Sequence, residues 1–178
     1  SPRLNLRLNG DDLLLHRSPT LRARANADLR LSGPLERLEL SGALTLTDGI
    51  FTRPFGLAEG LTAGSARPKT GPGFALFAIE SPPLRDMRFD VQVGAVRPFR
   101  IKNNLAKGAG RPDLRLVGTG ETPELVGKVY LDPTVLFLPA GRMQFDSGVI
   151  IFEAVDPGRP RLDMIGTARM IGYDITAA

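Results

Sequence analysis

Few side chains in this sequence have the type and spacing for covalent or metal chemistry. His16, in "LLLHRS", is the only histidine; Asp11 and Asp12 are the nearest acids and Ser18 follows two residues on. A serine relay needs a base poised between nucleophile and acid. Ser18 stands before Pro19 and reads as a turn residue, so His16 is expected in a structural or surface role. The absence of cysteine excludes disulfides, thiolate zinc sites and cysteine nucleophiles. Asp48, Asp132 and Asp156 each precede Gly or Pro, where aspartate caps turns, and no D-x-D-x-D-G calcium loop is present. "GTGETP" (118 to 123) lacks the third glycine and the following helix of a dinucleotide loop. The expectation is a protein that is not an enzyme and carries no metal or cofactor.

Charge narrows the partners. The 178 residues carry a net charge of +4 with a sequence pI near 10.0, which raises nucleic acid or an anionic membrane surface. The basic residues are spread singly between apolar neighbours (Arg3, Arg7, Arg22, Arg24, Arg30, Arg88), and the aromatics are 9 Phe and 2 Tyr, with no Trp. No base-stacking platform is apparent, so a solvated strand face is expected rather than a nucleic-acid groove. A weak attraction to anionic lipid headgroups stays open. Runs such as "VLFL" and "VIIF" fall far short of the roughly 20 apolar residues of a membrane helix, and the start has no signal-peptide organisation. "SPRLNLRLNG" already alternates, which reads as one β domain, residues 1 to 178, belonging to a longer β-rich chain.

The elements that must position any site are strands. Period two places Leu4, Leu6 and Leu8 on one side of "RLNLRLN", Phe89, Val91 and Val93 on one side of "RFDVQV", Leu114 and Leu116 in "DLRL", and Met143 and Phe145 in "GRMQF". From Leu38 through Leu40, Gly42, Leu44 and Leu46 every second residue is Leu or Gly. Turn signals lie at Asp48-Gly49, "GSARPKTGPG" (64 to 73), "SPP" at 81, "GAGRP" at 108, "FDSG" at 145 and "VDPGRP" at 155. "RIKNNLAKGAG" (100 to 110) has room for a turn or two of helix before Gly108 and Gly110 end it. The fold is expected to be all-β.

A duplication is visible. Residues 29 to 56 align without a gap on 114 to 141 with 11 identities in 28, among them Leu29/Leu114, Leu31/Leu116, Gly33/Gly118, Leu40/Leu125, Gly42/Gly127 and Leu46/Leu131. Two copies at so long a spacing favour a duplicated set of strands in one extended sheet over a short-period solenoid. An alternating strand has an apolar face that something must cover. With no amphipathic helix available, the sheet must meet a second sheet, close into a barrel or curl on itself. A sealed sandwich is the plainer alternative; a stripe rich in Leu and Gly without Trp suits a curled sheet better.

Motifs in the second half resemble the C-terminal region of the TamB family of bacterial envelope proteins, relatives of the AsmA-like bridge proteins. They are "L.L.GT...P.L.G.V" (Leu114, Leu116, Gly118, Thr119, Pro123, Leu125, Gly127, Val129), "F...G.I.F" (Phe145, Gly148, Ile150, Phe152), then "P.LD....A" and "GY.I" (Pro160, Leu162, Asp163, Ala168; Gly172, Tyr173, Ile175). The resemblance covers about 87 to 176 and, through the repeat, 29 to 63. Residues 64 to 86 match none of its motifs, and Asp132-Pro133 replaces a turn glycine common in the family. The resemblance implies a long curled sheet, a "β-taco", with an apolar interior trough and few or no helices. It implies the periplasmic portion of an inner-membrane-anchored protein of the translocation and assembly module, working with an Omp85-family, TamA-like outer-membrane barrel. The cargo so implied is phospholipid acyl chains or unfolded outer-membrane protein. The expected groove lining is Leu29, Leu31, Leu38, Leu40, Leu44, Leu46, Phe89, Val91, Val93, Leu114, Leu116, Leu125, Val129, Leu131, Met143 and Phe145. The runner-up is an adhesin-like β domain with a sealed core and no transported ligand.

Overall fold

A computed structural model describes residues 2–54, 79, 81–138, 141–155, 160–170 and 173–177. The alternating segments form strands β1 (Arg3–Arg17), β2 (Leu21–Pro34), β3 (Glu39–Phe51), β4 (Arg88–Ala95), β5 (Phe99–Lys102), β6 (Ala106–Gly118), β7 (Pro123–Leu131), β8 (Thr134–Leu138), β9 (Gly141–Phe152), β10 (Arg161–Met170) and β11 (Tyr173–Ala177). All belong to one large curled sheet of 11 strands in the order β1-β2-β3-β4-β6-β7-β9-β10-β11. The short β5 fills in between β3 and β6, and β8 between β6 and β9. The described residues contain no helix.

Pairing is antiparallel throughout except at β3, which runs parallel to β4 over eight pairs from Glu39↔Arg88 to Leu46↔Ala95 and to β5 over two more. That parallel seam separates two equivalent units. β1-β2-β3 and β4-β6-β7 are related by an offset of 85 residues: Leu6↔Leu31 and Leu8↔Leu29 answer to Val91↔Leu116 and Val93↔Leu114, and Leu31↔Leu40 and Leu29↔Gly42 to Leu116↔Leu125 and Leu114↔Gly127. The turns match as well. Leu35 N–H donates to the Pro2 carbonyl at 3.4 Å, and Gly120 N–H to the Met87 carbonyl at 2.8 Å. The equivalence thus takes in β1 and β4, beyond the 28 residues whose identities stand out in the sequence.

Four stretches expected as turns or helix are strand instead. Asp48-Gly49 lies inside β3, where Thr47 is an extra residue between the pairs Arg24↔Asp48 and Ala25↔Leu46. "FDSG" is a bulge in β9, with Asp146 extra between Gly166↔Phe145 and Ile165↔Ser147. Bulges use the small polar residues that turns use. "GAGRP" lies within β6, and the 100 to 110 segment is a β5-β6 hairpin rather than helix. The Asn103 side-chain oxygen accepts the Leu105 and Ala106 N–H groups at 3.0 and 2.7 Å, so a local polar side chain closes the turn in place of a helical turn. "SPP" at 81 does sit in a turn. The 64 to 73 stretch and Asp156 lie outside the described residues.

Gly42 and Gly127 hold the same place in the two units, at φ 128° and 122°. A Cβ on Gly42 would run into the Asp28 carbonyl oxygen and one on Gly127 into that of Asp113, itself 85 residues on. Only glycine tolerates both the positive φ and the approach of the neighbouring strand. Gly42→Ala and Gly127→Ala should each lower stability by about 1–3 kcal/mol. Gly94→Ala, where an added Cβ meets nothing within 4 Å, should stay within about 0.5 kcal/mol of the parent. Urea unfolding of the three variants checks this.

Candidate functional site

Directly paired residues put their side chains on the same face of a sheet, so the register maps the apolar side. One row crosses six strands as Leu8, Leu29, Gly42, Val91, Leu116 and Leu125. The next row runs Ala27, Leu44, Val93, Leu114, Gly127, Phe152. Flanking rows hold Leu31, Leu40 and Phe89, then Ala25 and Leu46. Pro112, Val129, Ile150 and Leu162 follow, and beside them Gly110, Leu131, Gly148 and Met164. Met143 and Phe145 fall out of step with Ile150 and Phe152 in a strict alternation; the Asp146 bulge returns them to this face, opposite Leu136 and Thr134.

Fifteen of the sixteen residues singled out in the sequence therefore share one face by register. The sixteenth, Leu38, closes its end. It is 2 % exposed, and its carbonyl accepts the Arg88 N–H at 2.8 Å. Ala25, Ala27, Ile150, Phe152, Leu162 and Met164 belong to the same face and were passed over. For the two alanines the signal was present in "RARANADL" as alternation with a small residue; for the last two it lay beyond the "VDPGRP" break.

No second layer covers this face among the described residues. Every substantial contact between strands joins hydrogen-bonded neighbours of the one sheet. Among the described residues the buried apolar side chains are few: Ala25, Ala27, Leu38, Met87, Val91, Phe145 and Pro123. Leu29, Leu31, Leu40, Leu44, Leu46, Leu114, Leu116, Leu125, Val129 and Leu131 are half-buried. Among the described strand residues the register places on this face there is no Asp, Glu, Lys or Arg. His16 stands at its margin, exposed and opposite Ala23, and Ser18 sits in the β1-β2 turn, its Oγ accepting the Leu21 N–H at 3.0 Å.

The charges are on the other side. Arg115 bonds Asp90 at 2.6 and 2.9 Å, and Arg30 makes the equivalent bond to Asn5 at 3.2 Å. Arg7 meets Asp28 at 3.1 Å and Arg24 meets Asp12 at 3.0 Å. Asp48, at the β3 bulge, takes Arg22 at 2.6 Å and Arg100 at 3.0 Å. The Arg22 hydrogen bond, reinforced by the charges of both arginines, holds the Asp48 carboxyl below its ordinary range, and the Arg115 hydrogen bond does the same for Asp90. Asp132 pairs with Arg111 at 3.2 Å in the turn before β8. Among the described residues no three His, Asp or Glu side chains gather where a metal could sit.

The family model of the TamB C-terminal domain matches residues 1–176. The chain belongs to the TamB family. The match takes in β1 and the 64 to 86 stretch, where the motifs gave no sign of it. No curated protein and no solved structure matches the chain. TamB-family proteins are components of the bacterial envelope that act in transport and assembly rather than catalysis, and they work with outer-membrane partners of the Omp85 family. Among the described residues no helix is long and apolar enough to cross a membrane.

The Asp48 pair yields a pH signature. A carboxyl whose pKa is depressed on folding stabilises the folded state above its unfolded pKa, and that contribution is lost as the pH falls through the folded value. Asp48→Asn should melt below the parent at pH 7, and the gap should close as the pH drops below about 4, near the ordinary carboxylate range. Paired thermal melts across pH 3–7 measure it.

Proposed function

We infer that the apolar face is a trough that shelters the hydrophobic part of a cargo crossing the envelope, foremost the acyl chains of phospholipid. One observation carries the reading: among the described residues a continuous apolar face, free of charged strand residues, lies on a single sheet without a second layer. β3 has 13 residues, so at about 3.3 Å per residue the trough runs roughly 40 Å along it. That exceeds the roughly 15 Å that half a bilayer's hydrocarbon core allots to one chain.

Shielding a methylene from water is worth about 0.8 kcal/mol. Leu, Val, Ala and Gly offer that shelter in any position along the trough, because no directional bond holds the chain in one place. The outward ion pairs keep the other face wetted. On this reading an outer-membrane barrel of the Omp85 family would stand at one end of the trough, and the periplasm is the compartment the trough would span. Nascent outer-membrane strands, alternating apolar and polar, suit the same surface on their apolar side. The half-buried state of the leucines weighs against the adhesin-like alternative, whose sealed core would bury them.

A charge placed mid-trough separates the two. In an open trough the arginine of Leu125→Arg reaches water with its stem on the apolar face, so the cost should stay near 1–2 kcal/mol; a sealed core would impose several kcal/mol for a buried ion. The variant is expected to fold and to lose most of its photo-crosslinking to diazirine-bearing phospholipid, while Val126→Arg on the opposite face crosslinks as the parent does. Unchanged crosslinking in a folded Leu125→Arg protein would sink the conduit reading.

A further inference from the structure

The two ends of the strands differ in charge. At one end β2, β3, β5 and β6 meet as Leu21↔Phe51, Phe51↔Ile101 and Ile101↔Gly108, with Lys102↔Lys107 one pair further out. Exposed cations gather there: Arg17 in the last β1-β2 pair, Arg53 just past β3, Arg97 between β4 and β5, Lys102, Lys107, and Arg142 opposite Phe137. None of the six enters an ion pair among the described residues. Of the described acids of β1 to β9 from the Arg24↔Asp48 pair outward, Asp48 already holds Arg22 and Arg100, and Asp132 holds Arg111; Asp146, at the β9 bulge, alone has no such partner. The opposite end is balanced. Glu36 adjoins Arg37, Glu39 stands opposite Arg88, and Arg85 bonds Glu121 at 2.8 Å.

The apolar face reaches the basic end. Leu136 lies opposite Met143 on the trough side, and Leu138, two residues on, keeps 38 % of its surface exposed. Lys102, Lys107 and Arg142 are rooted on the outward side, because the pairs Lys107↔Val135 and Val135↔Gln144 carry the parity of that side. Long cationic side chains in a last pair extend past the backbone with their heads in water, so unpaired charge and apolar surface meet at this end of the trough. An acyl chain lying along the strands leaves its headgroup at one end or the other, and a phosphodiester is drawn to the end with unpaired cations.

We propose that this is the headgroup end of the trough, which takes the phosphate of a phospholipid and favours lipids of net negative charge. The proposal rests on the trough holding acyl chains, and adds to that reading the orientation of the lipid and the class of its headgroup.

Dioctanoyl phosphatidylglycerol and dioctanoyl phosphatidylcholine, kept dilute enough to stay monomeric, share their tails and differ in net charge; each is titrated into the folded chain and followed by NMR. The parent is expected to bind the glycerol lipid about fivefold tighter in about 50 mM salt, the scale of an exposed ion pair or two, and the preference should shrink in about 500 mM salt. Lys102→Gln, Lys107→Gln and Arg142→Gln together should erase the preference and leave the affinity for the choline lipid unchanged. Arg3→Gln, Arg37→Gln and Arg88→Gln, which remove the same charge at the other end, should keep it. Equal affinities in the parent, with the Leu40 and Leu116 methyls shifting, would overturn the headgroup end and leave the trough standing. No shift of those methyls with either lipid would contradict the trough itself, and this proposal with it. Equal loss in both triple variants would reduce the effect to net charge. Shifts at Lys102 and Lys107 as large with inorganic phosphate would make the end a plain anion site, and binding to phosphatidylglycerol vesicles without binding of the monomer would make it a membrane-docking patch; each of these outcomes would also overturn the proposal.

Discussion

A sheet with one apolar face and, among the described residues, nothing layered on it must be held together from within its own plane. In most domains that face is consumed by burial, and the core supplies the largest favourable term in folding. Here a handful of side chains are buried among the described residues, and most of the Leu and Val stripe keeps part of its surface in water. What remains is the backbone ladder and the contacts along rows of neighbouring strands, worth tenths of a kcal/mol to about 1 kcal/mol per pair. Long strands suit this situation, because each added residue extends a ladder on both sides; β1, β2, β3 and β6 have 15, 14, 13 and 13 residues.

The same constraint accounts for the glycines and the salt bridges. A curled single sheet brings backbones close at fixed places, and Gly42 and Gly127 stand where the neighbouring carbonyl leaves no room for Cβ. The ion pairs of the outward face are exposed and individually weak. They cross between neighbouring strands, as Arg115 to Asp90 and Arg7 to Asp28 do, and a strand slipped by one residue would carry those charges to the apolar side. Register and polarity therefore support each other, and the function proposed for the apolar face depends on both.

Much of the fold was legible because period two survives wherever one face is apolar. The stripe from Leu38 to Leu46 and its echo from Leu125 to Leu131 mark one face without any knowledge of partners, and the register holds all of them there but Leu38, which precedes β3; the all-β class follows from the lack of any helical period. Local irregularity was harder. Asp48-Gly49, "GAGRP" and "FDSG" carry turn residues but sit in strands, since a bulge or a close backbone approach selects the same types as a turn. The 100 to 110 segment has the composition for a helical turn but forms a hairpin, because Asn103 closes it through its own side chain. The duplication shows as identity over 28 residues only, because in β1 and β4 Leu4, Leu6 and Leu8 correspond to Phe89, Val91 and Val93, which share polarity and position but not identity. Pairing geometry retained what substitution had erased.

Methyl NMR with a spin-labelled lipid reaches the central claim most directly, since Leu and Val occur on both faces of the sheet. A phospholipid carrying a nitroxide on its acyl chain should broaden the methyl signals of Leu40, Val91, Leu116 and Leu125 and spare those of Val117 and Val126, whose register partners Glu124 and Arg115 put them on the outward face. Equal broadening on both faces, or none on the apolar one, would contradict the account.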